Sequence, residues 1–135
     1  ADATGEAVRA AGCARPLLLA TRYTMEQEFY LGRLRARHGL DVRVPGERQR
    51  ETVHRAIFDE LCVGVVNPHS RAAYLDIIAR ARRDQGVDGV IFGCTEVGLL
   101  LDPGALDLPA FDTTDLHVRA AVAWMLDEDG SYPRT

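Results

Sequence analysis

Gly89-Val90-Ile91-Phe92-Gly93-Cys94 is the stretch that decides the fold. Three large apolar residues, Val90, Ile91 and Phe92, run between two glycines without a polar break. Such a run reads as a short strand buried on both faces, which occurs where helices cover both sides of a parallel sheet. Pro16 to Thr21 (PLLLAT) repeats the pattern upstream. Asp41 to Val44, closed by Pro45-Gly46, reads as a third strand, and Ala110-Phe111 as a last, short one. Between them the period changes to that of helices. The spacing predicts helices over residues 4–12, from a Thr24 cap to His38, over 47–63, from a Ser70 cap to Gly86, and from Thr114 to about Leu126. Gln27 would complete a capping box with Thr24, and Met25, Phe29 and Leu34 would share its apolar side. Val53, Ile57 and Leu61 stack at helical spacing, as do Tyr74, Ile77, Ile78 and Ala81. A short apolar helix or turn follows around Leu99 to Leu101. Val118, Ala121, Val122 and Met125 mark one side of the last helix. Strands spaced by helices predict an α/β fold, an open four-stranded parallel sheet with helices on both faces.

The 135 residues make one domain of ordinary globular composition, 47% hydrophobic and 27% charged. All sixteen positive residues are arginine. The absence of lysine excludes, within this chain, a Schiff-base lysine and a P-loop lysine. A net charge of −4 gives no electrostatic footprint for nucleic acid. The clusters Arg33-Arg35-Arg37 and Arg80-Arg82-Arg83 read as solvated helix faces with carboxylate neighbours. No apolar run approaches the ~20 residues that span a bilayer, so no membrane partner is expected. Three cysteines without a CxxC argue against a disulfide framework or a structural zinc, and fit a reducing, cytoplasmic setting.

In open α/β sheets, ligands sit at the carboxyl ends of the strands. That points to Thr21 to Thr24, Pro45-Gly46, Cys94 to Glu96, and Asp112 to Thr114. Cys94 is the residue with chemistry. If the chain turns into a helix after it, free amides and the helix dipole would lower its thiol pKa and hold a carboxylate, with Thr95 as an anion binder. Spacing alone equally allows a small core hydrophobe.

Ile91 to Leu100 (IFGCTEVGLL) closely resembles the second cysteine motif of the aspartate/glutamate racemase family. Thr21 to Gln27 with Phe29-Tyr30, Ile57 to Gly64, and Phe111 to His117 match other segments of that family in the same order. The likeness runs from Ala1 to about Leu126 and is greatest to the broad-specificity amino acid racemases. It implies a cofactor-independent enzyme acting on a small amino acid. Two cysteines flank the substrate Cα; one removes its proton as thiolate while the other delivers one to the opposite face. By this resemblance Cys94 is one of the two. Thr95, with Thr21 and Thr24, would bind substrate, and Glu96, Thr113 and His117 would support them from behind.

The family has two similar lobes, and the first cysteine comes from a Cys-Asn-Thr motif that this sequence lacks. Cys13 precedes the first strand and Cys62 ends a helix, so neither carries over as the partner base. The resemblance therefore makes residues 1–135 a single lobe, the second half of a racemase. Its closing helix, counted over 114–128, would pack on the missing first lobe. The expected partner is that lobe or a second copy of the chain in a homo-oligomer. Aspartate-specific members carry a lysine near the position of Cys62; here only Arg71 could substitute. Two rivals stand beside the racemase: a one-cysteine decarboxylase of the arylmalonate type, and an inert domain that self-associates.

Overall fold

Leu17, Leu18 and Leu19 are completely buried, and so are Val90, Ile91 and Phe92. These two runs form the paired strands β1 (Pro16–Leu19) and β2 (Gly89–Phe92), parallel, with Leu17 beside Val90 and Leu19 beside Phe92. β3 (Ala110–Asp112) adds to the far side of β2, also parallel, giving the order β1-β2-β3. The structure is a computed structural model, and it describes residues 1–126. Positions 127 and 128, counted in the closing helix above, lie outside the described residues.

Among the described residues the sheet has three strands, not the four expected. Asp41 to Val44 lies along the free edge of β1 but makes one isolated bridge, Arg43 opposite Leu17. Two hydrogen bonds form it, Leu18 N–H to the Arg43 carbonyl and Arg43 N–H to the Pro16 carbonyl, each 2.8 Å. The ladder stops there for local reasons. On one side Asp41 N–H donates in register to the Ala14 carbonyl at 2.9 Å, but Pro16 has no N–H to return to the Asp41 carbonyl. On the other, Pro45 has no N–H to continue the ladder.

Among the described residues, seven α-helices surround the sheet: α1 (Asp2–Ala10), α2 (Arg22–Glu26), α3 (Glu28–His38), α4 (Glu47–Arg55), α5 (Pro68–Gln85), α6 (Val97–Leu100) and α7 (Thr113–Leu126). α1 packs on α3 and α7, while α4 packs on α2 and α5. Asp2 ties α1 to α3: its carboxylate takes two hydrogen bonds from Arg33, at 2.9 and 2.6 Å, and contacts His38. α3 and α5 end on Gly39 and Gly86, both in the left-handed region that glycine enters without strain.

Three helix boundaries differ from the sequence reading. The expected helix from Thr24 to His38 is broken at Gln27, whose backbone is extended (φ −101°, ψ 144°). Thr21, not Thr24, occupies the cap position, and Gln27 closes no capping box. The break also turns Phe29 outward, 63% exposed, while Met25 and Leu34 stay buried. The expected helix over 47–63 starts as α4, widens into a π-helical segment at Ala56–Glu60 and tightens into a 3₁₀ turn at Leu61–Val63. Val53, Ile57 and Leu61 nevertheless all reach the core. α5 is capped by Asn67, whose side chain accepts the His69 N–H at 2.9 Å. Ser70 is not the cap; its hydroxyl donates to the Glu60 carboxylate at 2.6 Å.

α7 contains no fully buried residue. Leu116 packs against the core, but Val118, Val122 and Met125 are exposed. The apolar stripe expected on this helix therefore has no cover among the described residues. None of the described helices is long and apolar enough to cross a membrane.

Candidate functional site

The chain leaves β1 towards one edge, through α2 and α3 to the bridge at Arg43. It then returns past β1, through α4 and α5, to β2 on the other side. The direction of winding thus reverses between β1 and β2. In α/β sheets the crevice outside the carboxyl ends of two such strands is the place where ligands bind. The register sets what meets there. Leu19 lies beside Phe92, so Thr21 and Cys94 each lie two residues beyond a paired position.

Gly93 makes this close approach feasible. Its N–H donates to the Leu19 carbonyl at 2.8 Å. A Cβ on it would stand 2.7 Å from Leu18 Cδ1 and 2.9 Å from Ala20 Cβ. On the other side of β2, Thr113 Oγ1 donates to the Phe92 carbonyl at 2.7 Å, fastening the start of α7 to the end of the central strand. Asp112 caps α7, its carboxylate accepting the Thr114 N–H at 2.8 Å.

Cys94 is half-buried, and its Sγ donates to Glu96 Oε2 at 2.7 Å. The turn makes this contact: Val97 N–H donates to the Cys94 carbonyl at 3.2 Å, folding residues 94–97 back on themselves. Burial, first, and then the Glu96 carboxylate push the Cys94 thiol up to about 12. The sequence reading expected the opposite, a lowered thiol. α6 begins only at Val97 and spans four residues, so it has almost no dipole to offer. Burial and a neighbouring carboxylate both disfavour the thiolate, and they win. Glu96 is shifted the other way: the hydrogen bond from Cys94, then the Thr95 side chain, hold its carboxyl below the usual range.

Thr21 and Thr24 face one another, Oγ1 to Oγ1 3.3 Å, beyond the end of β1. Tyr23, His54 and Phe58 form an aromatic row from α2 to the π-helical segment, with ring centroids 6.0 and 4.7 Å apart. His117 is placed elsewhere. It lines a shallow groove between α7 and the chain start, with Ala1 to Ala3, Ala120, Ala121 and Trp124.

Tyr74, close to Cys94, and Glu60, close to Tyr74, are two residues that the sequence did not point to for the site. Tyr74, read only as core, is fully buried, and its hydroxyl donates to the Val53 carbonyl at 3.0 Å. Burial first, then the charges of Cys94 and Glu60, hold it above the ordinary tyrosine range. Glu60 sits in the π-helical segment and receives Asn67 Nδ2 at 3.0 Å as well as the Ser70 hydroxyl. A π segment inside a helix is a frequent companion of functional sites, but nothing in the residue types of 56–60 announces one. Cys62 is exposed just beyond it. No group of His, Cys, Asp and Glu among the described residues is arranged to hold a metal.

Comparison with known proteins agrees with this architecture. The family model for Asp/Glu/Hydantoin racemase matches residues 1–121. A crystal structure from Yersinia pestis assigned to the Asp/Glu racemases is similar over 93% of this chain and 54% of its own, with 46% identity and a TM-score of 0.88. An aspartate racemase homologue from Pyrococcus horikoshii OT3 is similar over 90% of this chain and 53% of its own, with 34% identity and a TM-score of 0.84. Picrophilus torridus aspartate racemase shares the fold at 21% identity, with a TM-score of 0.66. The chain spans about half the length of each of these proteins.

Proposed function

The chain belongs to the Asp/Glu/hydantoin racemase family, and from that premise we propose that it supplies one half of the active site of a cofactor-independent amino acid racemase. The observation that carries the reading is the position of Cys94. It is a half-buried thiol at the carboxyl end of the central strand, where the winding of the sheet reverses.

The chemistry follows from what such a thiol can do. The Cα–H of an amino acid is a very weak acid, so a base must touch the hydrogen and an acid must stand ready on the opposite face. Cys94, held as a thiol, is the acid in the state seen here. It delivers its proton to the planar carbanion while a second cysteine, on a facing lobe outside this sequence, takes the original proton. Thr95, through its N–H and hydroxyl, with Thr21 and Thr24, receives the substrate carboxylate. Thr113 contributes by fixing the end of β2, and Glu96 by its bond to the thiol. His117 faces the α1–α7 groove, which suits contact with the facing lobe better than contact with substrate.

That lobe also explains the uncovered side of α7. Val118, Val122 and Met125 are 53%, 42% and 67% exposed, and an apolar stripe of this kind on a stable domain marks a contact surface. We place the facing lobe there, with residues 1–135 as a single lobe whose last helix closes the pair.

The test is exchange of the Cα hydrogen. The two-lobed protein containing this chain is incubated in D₂O with single enantiomers of several amino acids and no added cofactor. Deuterium at Cα together with loss of optical rotation is expected. Retention of protium across the panel would remove the reading.

A further inference from the structure

Glu60 is the last residue of the π-helical segment, half-buried, and both oxygens of its carboxylate are engaged. Oε1 accepts Asn67 Nδ2 at 3.0 Å, and Oε2 accepts the Ser70 hydroxyl at 2.6 Å. Its backbone carbonyl accepts the Val65 N–H at 2.9 Å, and the Gly64 N–H reaches the Leu61 carbonyl at 3.0 Å. One residue thus closes the chain from 60 to 70 into a loop and ties the π-helical segment to the start of α5. Leu61 anchors the loop in the core, while Cys62, Val63, Gly64, Val65 and Val66 are exposed. No charged residue lies between Leu61 and Val66. The 3₁₀ turn of the loop packs on α6, which starts directly after Cys94 to Glu96. Tyr74, from α5, lies close to both Glu60 and Cys94. Asn67 Oδ1 already caps α5 through the His69 N–H, so the bonds to Glu60 are additional to what that helix end needs.

We propose that Glu60 is a positioning residue for the site: its carboxylate holds residues 61–66 as an uncharged wall beside the Cys94 turn, and the substrate side chain packs on that wall. The catalytic meaning rests on the racemase reading; the clasp itself does not. An exposed loop held only by backbone bonds opens readily, because each amide exchanges its partner for water at little cost. Bonds to an ionised carboxylate are roughly twice as strong as neutral ones, so Glu60 outweighs the backbone bonds in keeping the loop closed. An uncharged wall favours an amino acid with an uncharged side chain, since a charged one would lose water there without gaining a partner.

Donor and acceptor can be exchanged to test the clasp. Glu60→Gln sets an amide against the Asn67 amide. Asn67→Asp keeps an oxygen for the His69 N–H but sets two carboxylates together. The double variant restores the pair with its polarity reversed, and the glutamine oxygen still accepts the Ser70 hydroxyl. Hydrogen exchange of the 135-residue chain is read at the Gly64 and Val65 amides, with the Ile91 amide of β2 reporting the fold. Each single variant should exchange at least about 10-fold faster at Gly64 and Val65, the scale of one bond to a charged group. The double variant should return towards wild type. Single variants that match wild type, or a double variant as fast as the singles, overturn the clasp. Should Ile91 lose protection in a single variant, Ser70→Ala decides: it removes one donor alone, and exchange at the wild-type rate overturns the clasp.

In the two-lobed protein, Cα exchange of leucine and of alanine separates positioning from stability. The single variants should raise KM for leucine about 10-fold relative to alanine with little change in kcat, the mark of lost binding rather than lost chemistry. The double variant should restore it. Unchanged kinetics, or an equal fall of kcat for both amino acids at constant KM, overturns the positioning role. A wild type that exchanges no amino acid removes the racemase reading instead, and the clasp is then judged by hydrogen exchange alone.

Discussion

Replacing Gly93 by alanine adds one methyl group just beyond the end of β2, where its N–H bonds the Leu19 carbonyl of β1. The new Cβ would lie 2.7 Å from Leu18 Cδ1 and 2.9 Å from Ala20 Cβ. Carbon atoms prefer about 3.5–4.0 Å, so roughly 1 Å must be recovered on two sides at once. Leu18 can rotate only into a filled core, since it is completely buried, and Ala20 has no rotamer to change. Overpacking of this kind costs about 1–3 kcal/mol. For a chain of this size, each kcal/mol lowers Tm by roughly 3–4 °C, so Gly93→Ala should melt about 3–12 °C below wild type. Gly64→Ala is the matched control. Gly64 has φ +79° and nothing within 4 Å of a Cβ, so its alanine variant meets only the left-handed backbone penalty, about 1–2 kcal/mol. Thermal unfolding followed by circular dichroism measures both. The packing variant should also loosen the turn that holds Cys94, making that thiol easier to alkylate, while the control leaves it unchanged. A Gly93→Ala protein that melts with wild type would refute the claim that close approach of the strands builds the site.

Tyr74→Phe leaves the Val53 carbonyl without its 3.0 Å donor in a fully buried position; urea denaturation should show a loss of about 1–2 kcal/mol, and no loss would mean the carbonyl finds another partner. Asp2 is held below the usual carboxylate range chiefly by its hydrogen bond from Arg33. A carboxyl depressed in the folded state adds stability that is complete above the unfolded value, near 4, and fades as pH falls towards the folded one. Asp2→Asn should therefore cost up to about 1 kcal/mol at pH 7, the scale of a partly exposed ion pair. The gap to wild type should shrink steadily below about pH 4; a gap that stayed constant on acidification would place the contribution elsewhere than in the Asp2 charge.

The core of the fold was legible because Pro16–Leu19 and Gly89–Phe92 are continuous apolar runs, and only burial on both faces accommodates such a run. What escaped depends on single hydrogen bonds. Asp41 to Val44 has strand composition, and its N–H groups reach Ala14 and Pro16 in register, but Pro16 and Pro45 lack the N–H groups that would carry the ladder past one bridge. The break at Gln27 is a backbone choice that no residue type there enforces. Asn67, rather than Ser70, caps α5 because Ser70 is committed to Glu60, a residue ten positions away whose placement a local reading cannot see. The same holds at the site. Cys94, Thr95 and Glu96 stood out as types in a motif, yet the direction of the thiol's shift came from burial and from the turn that brings Glu96 onto Sγ.

On the proposed reading, Cys94 is one of two bases at the substrate Cα. This is tested most directly by Cys94→Ala in the two-lobed protein, with each pure enantiomer in D₂O and Cα deuteration and racemisation followed separately by NMR and polarimetry. Racemisation should be lost, and any remaining exchange should be confined to one enantiomer, the one whose proton faces the other cysteine. Interconversion of both enantiomers at the wild-type rate would contradict it.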